Sequence, residues 1–304
     1  GMAYPLTEDN RKALLDWIPE AKKTVKMGLD IIKNFMNDNQ EMVETFATSP
    51  TLYLGLVGES GEHAIYKGNL RFIDADGNIL QDQLSPTKYL DFIAERSVEW
   101  SYLKYPYYKP LGFEKGVYRV GPLARLNVAT KMRTPQAQKE FELFKSLNNG
   151  KPVHGTFYYH YTRLIETLGS VEEAEIILND KEITSTHIQT HGRWNHNEGI
   201  GCSEAPRGTL FHHYITDDSG KLTNVNLLIA TGQNNPSMNR SITEVAKQYV
   251  KASSLQEGML NRVESTIRCY DPCLSCSTHA IGQMPLVVEL IDSKGMMIAR
   301  VEKN

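Results

Sequence analysis

Near its carboxyl end the chain carries the stretch D-P-C-L-S-C-S-T-H, which combines two thiols and an imidazole at successive spacings of three. Asp271 and Pro272 are typical of a helix start, because aspartate caps free N–H groups and proline fits the first helical position. On such a helix Cys273, Cys276 and His279 would share one face. A helix N-terminus favours thiolates, and a soft divalent metal suits such ligands.

Spacing alone leaves two other interpretations of this cluster open. The chain has four cysteines, three of them within eight residues, and shows no export signal. This pattern indicates metal or redox chemistry rather than a disulfide framework. Cys269 would complete a four-ligand structural zinc site with Cys273, Cys276 and His279. The interpretation without function is that these side chains only fill a core.

Composition excludes several classes of partner. The 304 residues carry a formal net charge of -3, which gives no general attraction to nucleic acid or to anionic membranes. No apolar run is long enough to span a bilayer, and the first ten residues have neither a basic nor an apolar leader region. We therefore expect a cytoplasmic protein that binds neither nucleic acid nor membrane.

The elements that must position the cluster can be predicted from hydrophobic spacing and turn residues. Helices are predicted over residues 8–48, 87–102, 134–146, 154–180 and 240–267, with a break or kink at Pro19. Strand patterns predict a small antiparallel unit over 51–82, a hairpin over 209–230, and a final hairpin with strands at about 286–291 and 296–301. We expect the two strands of the final hairpin to pair into a sheet with neighbouring strands. Segment 104–127, rich in Pro, Gly and Tyr, is predicted to be an ordered loop.

These elements indicate an α+β fold, dominated by helices, with antiparallel hairpins at its periphery. Helix dominance follows from the length of the predicted helices, and the strand signals favour this fold over an all-helical bundle. The chain has no repeats, no low-complexity tract and no convincing linker. We therefore expect a single domain over residues 1–304.

The motifs together resemble those of one family. The stretch D-P-C-L-S-C-S-T-H resembles the carboxyl-terminal nickel-binding motif of NiFe hydrogenase large subunits. Upstream, E-A-P-R-G and N-V-N-L-L-I-A-T-G-Q-N-N-P-S-M-N resemble two further blocks of that family. Y-Y-K-P-L-G, Y-R-V-G-P-L-A-R-L-N, K-P-V-H and G-Q-M-P-L are similar to its cytoplasmic branch, which includes viologen-reducing and deazaflavin- or NAD-linked enzymes. The resemblance runs from about residue 50 to the end and implies the hydrogenase large-subunit fold.

The resemblance implies roles for individual residues at a nickel–iron centre. Cys273 would be a terminal nickel ligand, and Cys276 would bridge nickel and iron. Arg207 would stand over the open coordination site, where it would orient or polarise dihydrogen or act in its proton transfer. Either a thiolate or Arg207 would take the proton. Thr231 matches the position that hydrogen-bonds a cyanide on the iron, although Ala230 stands where the family usually has proline. The iron would also carry carbon monoxide.

Three further positions surround that centre in the resemblance. Asp271 would lie behind the ligands, and His279 would hold a magnesium or iron ion with a backbone carbonyl near Leu227. Cys202 and Cys269 match no ligand and are expected to be small core residues. The alternative for Arg207 is a structural ion pair with an acid such as Glu204.

The resemblance is incomplete in one respect that bears on function. No cysteine precedes Cys202, so the family's R-x-C-G-x-C motif, which supplies two of four nickel thiolates, is absent. We therefore expect the carboxyl-terminal part of a hydrogenase large subunit, which would be inactive alone in the reversible oxidation of dihydrogen. The rival is a non-catalytic scaffold relative with a structural zinc or an empty cysteine cluster.

The resemblance also implies partners and a processing step. An iron–sulfur small subunit would take the electrons, and another chain or segment would supply the missing cysteine pair. A maturation endopeptidase would remove residues 280–304 once nickel is loaded. With that extension still present, the chain is expected to be a nickel-free precursor with no metal bound.

Overall fold

A computed structural model describes residues 2–192, 195–250, 256–273 and 286–303. The α-helices are α1 (Glu8–Asp38), α2 (Gln40–Thr45), α3 (Tyr89–Phe92), α4 (Gly112–Lys115), α5 (Pro122–Val128), α6 (Pro135–Ser146), α7 (Tyr158–Leu178), α8 (Ala230–Tyr249) and α9 (Glu257–Tyr270). The strands are β1 (Leu52–Val57), β2 (Asn69–Ile73), β3 (Ile79–Leu84), β4 (Ile93–Val98), β5 (Ser101–Tyr108), β6 (Tyr118–Arg119), β7 (Glu198–Ala205), β8 (Gly208–Thr216), β9 (Leu222–Leu228), β10 (Leu286–Ile291) and β11 (Met297–Lys303). Short 3-10 turns cover Pro86–Lys88, Lys109–Leu111 and Lys181–Thr184. The mixed, helix-dominated fold class is confirmed.

The helices pack around one large apolar cluster. It joins Leu29 of α1, Leu126 of α5, Phe144 of α6, Ile165 of α7 and Tyr270 at the end of α9. Burial of such side chains supplies about 1.5–3 kcal/mol each, which is ample to hold amphipathic helices together. The cluster therefore fixes where α9 ends, and with it the start of the cysteine motif.

The long first helix corrects the prediction for Pro19. α1 runs without interruption from Glu8 to Asp38, with Pro19 inside it, and Thr7 caps its start by accepting from the backbone N–H of Asn10. Pro19 is exposed, whereas its neighbour Ile18 is buried. We attribute the continuity to tertiary packing, because packing of one face of α1 against α7 outweighs the single backbone hydrogen bond that proline removes.

The central sheet has the strand order β3-β2-β1-β6. The predicted antiparallel unit over 51–82 is confirmed as β1, β2 and β3. β6 adds to β1 in parallel through Leu52 opposite Tyr118, a pairing across 66 residues that local patterns do not show. The segment predicted as loop therefore contains the end of β5, as well as β6 and α5, because non-local pairing gives its backbone groups partners.

Residues 87–102 do not form the predicted helix. After a single turn of α3, the chain enters β4 and pairs it antiparallel with β5. Ile93 and Tyr108 lie opposite each other and are buried in an apolar cluster with Phe72 and Tyr118. The cross-strand partner and this cluster override the weak helical periodicity, since strand preference depends on packing against neighbours.

Most of the remaining predicted elements are confirmed, but one predicted helix has the wrong bounds. α6 and α7 confirm the helices at 134–146 and 154–180, and the hairpin at 209–230 is confirmed as β8 and β9. That hairpin gains β7 as a third strand. The single helix at 240–267 is wrong in its bounds, because α8 and α9 have separate caps with extended backbone at Val250 and Gln256.

The carboxyl-terminal strands form where they were predicted, as β10 and β11. They pair antiparallel with each other and, within the described residues, form a two-stranded sheet of their own. The expectation that they join neighbouring strands is therefore wrong for this part of the chain. β11 lies against α9 instead. The single domain over 1–304 stays a prediction.

Candidate functional site

The A-P-R-G motif is the tight turn between β7 and β8. Ala205 pairs with Gly208, so Pro206 and Arg207 alone form the connection. Gly208 has φ 138°, a backbone conformation that residues with a Cβ rarely adopt. The turn places Arg207 at the end of the hairpin, with 36% of its side chain exposed.

Arg207 reaches the residue that begins the cysteine motif. Its Nε donates to the backbone carbonyl of Asp271, and its Nη2 lies 3.4 Å from Asp271 Oδ1. These contacts join two segments that are 64 residues apart in sequence. Glu204 is not the partner of Arg207, because the carboxylate of Glu204 contacts Arg125 instead. The acid that pairs with Arg207 is Asp271, so the alternative of a structural ion pair applies to Asp271.

Asp271 is not the N-cap that its sequence context predicts. It follows the last residue of α9 and has φ 50° and ψ 52°, the left-handed conformation that often ends a helix. Aspartate tolerates this conformation better than most residues, and Pro272 cannot continue the helix. Pro272 and Cys273 are not helical, and the residues that follow Cys273 in the motif lie outside the described part of the chain.

The backbone of Cys273 is held by the first turn of α8. Its N–H donates to Thr231 Oγ1 at 3.2 Å, and Thr231 is 4% exposed. The structure therefore brings together four of the residues predicted for the site, namely Arg207, Thr231, Asp271 and Cys273. Leu227 lies on β9 opposite His212, three residues before α8 begins. Cys276 and His279 lie outside the described residues.

A second segment passes close behind the Arg207 turn. A Cβ on Gly121 would lie 2.7 Å from the carbonyl oxygen of Arg207, and a Cβ on Gly208 would lie 2.3 Å from Val120 Cγ2. Asn234 of α8 connects the two segments, since it accepts from the N–H of Val120 at 2.9 Å and donates to the carbonyl of Arg207 at 3.4 Å. The V-G-P and A-P-R-G motifs are therefore in direct contact.

Gly208→Ala is expected to destabilise the fold by about 2–4 kcal/mol, because the methyl group meets Val120 and the backbone is strained at positive φ. Gly220→Ala is the matched control. Gly220 also has positive φ, at 81°, but its Cβ would meet nothing within 4 Å. The free energies of unfolding of both variants in urea separate the effect of the contact with Val120 from that of the strained backbone. Equal losses in the two variants would contradict the close approach at Gly208.

A buried network of charges lies behind the same turn. Arg125 is 3% exposed; its Nε and Nη2 each lie 2.6 Å from a carboxylate oxygen of Glu166, and its Nη1 lies 2.8 Å from Glu204 Oε2. His63 Nε2 is 2.8 Å from the same Glu166 carboxylate. Burial works to raise the pKa of Glu166, but Arg125 and His63 outweigh it and lower that pKa to about 2.

This network was missed by sequence reasoning, although Arg125 lies within the quoted motif Y-R-V-G-P-L-A-R-L-N. A pocket of about 290 Å³ opens beside it. Its lining includes Glu166, Arg163, Pro206 and Asp271, so it adjoins the contact between Arg207 and Asp271. The pocket places polar and charged groups next to the start of the cysteine motif.

The other cysteines behave as core residues. Cys269 is 1% exposed within the main helical cluster, and burial raises the pKa of its thiol to about 12. Cys202 packs against the second cluster, and burial raises its thiol pKa as well. Burial therefore favours the thiol over the thiolate at both positions. Among the described residues, no group of three or more His, Cys, Asp or Glu side chains is arranged to hold a metal.

Comparison with known proteins identifies the family. The sequence profile of the nickel-dependent hydrogenases matches residues 20–279, which span Arg207, Thr231 and the whole cysteine motif. The chain belongs to the nickel-dependent hydrogenase family. The predicted resemblance is thereby confirmed.

Two relatives show how much of a hydrogenase polypeptide the sequence spans. The chain is 42% identical over 275 residues to the beta subunit of the NAD-reducing hydrogenase HoxS of Cupriavidus necator, covering 89% of this chain and 56% of that protein. It is 39% identical over 298 residues to a subunit of the F420-non-reducing hydrogenase vhc of Methanococcus voltae, covering 95% and 62%. The chain thus spans about three fifths of the length of these hydrogenase subunits.

Solved hydrogenase structures share the fold. An NAD+-reducing [NiFe]-hydrogenase in the H2-reduced state matches with a TM-score of 0.87 at 35% identity, over 92% of this chain and 62% of that one. A Ni-Fe-Se hydrogenase from D. vulgaris Hildenborough matches with a TM-score of 0.67 at 20% identity, over 91% and 63%, which shows the fold alone. In the described part of this hydrogenase chain, no helix is both long and apolar enough to cross a membrane.

Proposed function

We propose that this chain supplies Cys273 and Cys276 to a nickel–iron centre for the reversible oxidation of dihydrogen. One observation carries the proposal. Arg207 of the A-P-R-G turn contacts Asp271, two residues before Cys273, and Thr231 holds the Cys273 backbone. In a member of the nickel-dependent hydrogenase family, this contact places a cation beside the segment that begins the cysteine motif.

The donor chemistry fits nickel in part. Thiolates are soft ligands, which suit nickel. The sequence offers two such thiols in the motif, whereas four are implied for the complete centre. We infer that two more come from a segment or chain outside this sequence. The chain by itself is then nickel-free and inactive, with residues 280–304 still attached.

Other residues complete the proposed surroundings of the centre. The hydroxyl of Thr231 accepts from the N–H of Cys273 and still has a proton to donate, which suits a hydrogen bond to a cyanide on the iron. His279 and the backbone carbonyl of Leu227 are proposed to hold a magnesium or iron ion. Hard cations such as magnesium are coordinated by carbonyl oxygens, so the side chain of Leu227 does not need to take part.

When bound, the nickel–iron centre supplies the electron-accepting site at which dihydrogen is cleaved into protons and electrons. The cation of Arg207 is spread over a planar guanidinium, so its proposed role is to orient dihydrogen and to stabilise charge. One of the two protons would be accepted at a thiolate sulfur of Cys273 or Cys276, and the second would leave to solvent. An iron–sulfur small subunit is the proposed acceptor of the electrons, in keeping with relatives that are named as hydrogenase subunits.

The test is elemental analysis of the chain, isolated first in its native assembly and then alone, for nickel, iron and zinc. The assembly is expected to hold near-stoichiometric nickel and iron and to reduce viologen with dihydrogen. The isolated chain is expected to lack nickel and to keep residues 280–304 by mass. Stoichiometric zinc without nickel in the assembly would instead support the scaffold rival, and nickel with iron in the isolated chain would contradict its incompleteness.

A further inference from the structure

We propose that Arg125 is a positioning residue for Arg207. Its buried guanidinium holds the Pro206–Arg207 turn by two backbone carbonyls and thereby sets the direction from which Arg207 approaches Asp271. The inference rests on the proposed function only for what Arg207 does, because the hold itself is a property of the folded chain.

The contacts form a fork that leaves the guanidinium little freedom. Nη1 donates to the carbonyl of Ala205 at 2.9 Å, and Nη2 donates to the carbonyl of Pro206 at 3.3 Å. On the opposite edge, Nε and Nη2 form the bidentate pair with Glu166. A planar group with three donating nitrogens is thus fixed on two edges at once, which lysine cannot reproduce.

The two carbonyls lie at the turn itself. Ala205 is the last residue of β7 and pairs with Gly208, and Pro206 is the first residue of the two-residue connection. Arg125 donates to both carbonyls from α5. Glu204, with a side chain that is fully buried, steadies the donor because its Oε1 accepts from Leu56 N–H at 3.0 Å and from the Thr209 hydroxyl at 2.8 Å.

The turn is therefore held on both sides. Arg125 holds the residues before Arg207, whereas Asn234 donates to the carbonyl of Arg207 itself. With both sides held, the free part of Arg207 is its side chain, which ends on Asp271. Loss of the Arg125 hydrogen bonds would leave only Asn234 to fix the turn, so the Arg207 side chain should contact Asp271 for a smaller fraction of the time.

A matched control exists in the same fold. Arg71 is 6% exposed, pairs through Nε and Nη2 with Asp82 at 2.8 and 3.0 Å, and donates to the carbonyl of Val128 at 3.0 Å. It makes the same kinds of contact as Arg125 but does not contact the Arg207 turn. A purely structural role for Arg125 predicts equal behaviour of the two lysine variants.

The experiment measures the rate at which phenylglyoxal labels Arg207 in the full chain, by mass spectrometry, with exposed Arg133 as the internal reference. Arg125→Lys is expected to raise the Arg207 rate about fivefold, the effect of losing about one hydrogen bond. Arg71→Lys, compared at a matched fall in melting temperature, is expected to leave that rate unchanged. Equal increases in both variants, or no increase in Arg125→Lys, would overturn the proposal.

Glu204→Gln keeps the experiment decisive if Arg125→Lys does not fold. It weakens the hold on Arg125 while the guanidinium stays, so an increase smaller than that of Arg125→Lys is expected, and an unchanged rate would overturn the proposal. Labelling requires no hydrogen turnover. If the native assembly holds no nickel and shows no hydrogenase activity while the chain still shows the Arg125 effect, the proposed function is refuted and the positioning role stands.

Discussion

Cys273→Ser is expected to remove nickel from the assembled enzyme and to lower the rate of dihydrogen oxidation at least about 100-fold. This loss exceeds the one typical of residues that only hydrogen-bond to metal ligands. Serine has nearly the same shape as cysteine, but its hydroxyl stays protonated and is a hard, weak ligand for nickel. The backbone bond from residue 273 to Thr231 does not involve the side chain, so it should persist. Nickel content and viologen reduction by dihydrogen are the measurements.

Cys202→Ser is the matched control for this change. Cys202 and Cys273 are both half-buried, and Cys202 lies on β7 only five residues before Arg207. Its thiol has a raised pKa and packs against apolar side chains, so serine there should affect stability more than metal content. Retention of nickel in Cys273→Ser, or equal loss in Cys202→Ser, would show that Cys273 is not the ligand.

Glu166→Gln is expected to lower the free energy of unfolding by about 3–5 kcal/mol, since it leaves the buried cation of Arg125 with only one of its two carboxylates. The amide of glutamine has one acceptor oxygen, so it cannot accept hydrogen bonds from both Nε and Nη2 of Arg125. The substitution also removes the carboxylate that His63 contacts. Glu173→Gln on the same helix is the control, because Glu173 pairs with exposed Arg133 at 3.6 Å and should cost less than about 1 kcal/mol. Urea unfolding at neutral pH compares them, and similar losses would contradict the importance of the network.

Glu166 is also expected to make the stability of the chain depend on pH in the acid range. The pKa of Glu166 is about 2 in the folded chain, below its ordinary value of 4.5. Its ionised form is therefore favoured by folding, so its contribution is complete above pH 4.5 and is lost as the pH falls towards 2. This shift corresponds to about 3 kcal/mol. Unfolding free energies between these pH values should fall less steeply in Glu166→Gln than in the wild-type chain, and parallel curves would refute the assignment.

Local pattern was enough for several elements and for the motifs of the site. α6 and α7 follow from helical spacing, and the hairpin of β8 and β9 follows from alternation around a D-D-S-G turn. The cysteine motif and A-P-R-G could be read directly, and they led to the family that the profile match confirms. These features depend on neighbours in sequence, where spacing and turn chemistry act.

Other features depend on residues far apart in sequence. β4 and β5 replace a predicted helix, because pairing between the two strands and packing in a shared apolar cluster decide their conformation. β6 pairs with β1 across 66 residues. Asp271 takes a left-handed conformation at the end of α9, rather than capping a new helix, because α9 packs into the helical core up to Tyr270.

The charge network shows the same limit most clearly. The sequence contains 33 basic and 36 acidic residues, and nothing local indicates that Arg125 should pair with residues 41 and 79 positions away. Coulomb attraction depends on distance and burial, which exist only once α5, α7 and β7 have packed. The sequence by itself determined which family and which reactive side chains this protein has. The tertiary structure alone decided that Arg125 holds the turn from which Arg207 reaches the cysteine motif.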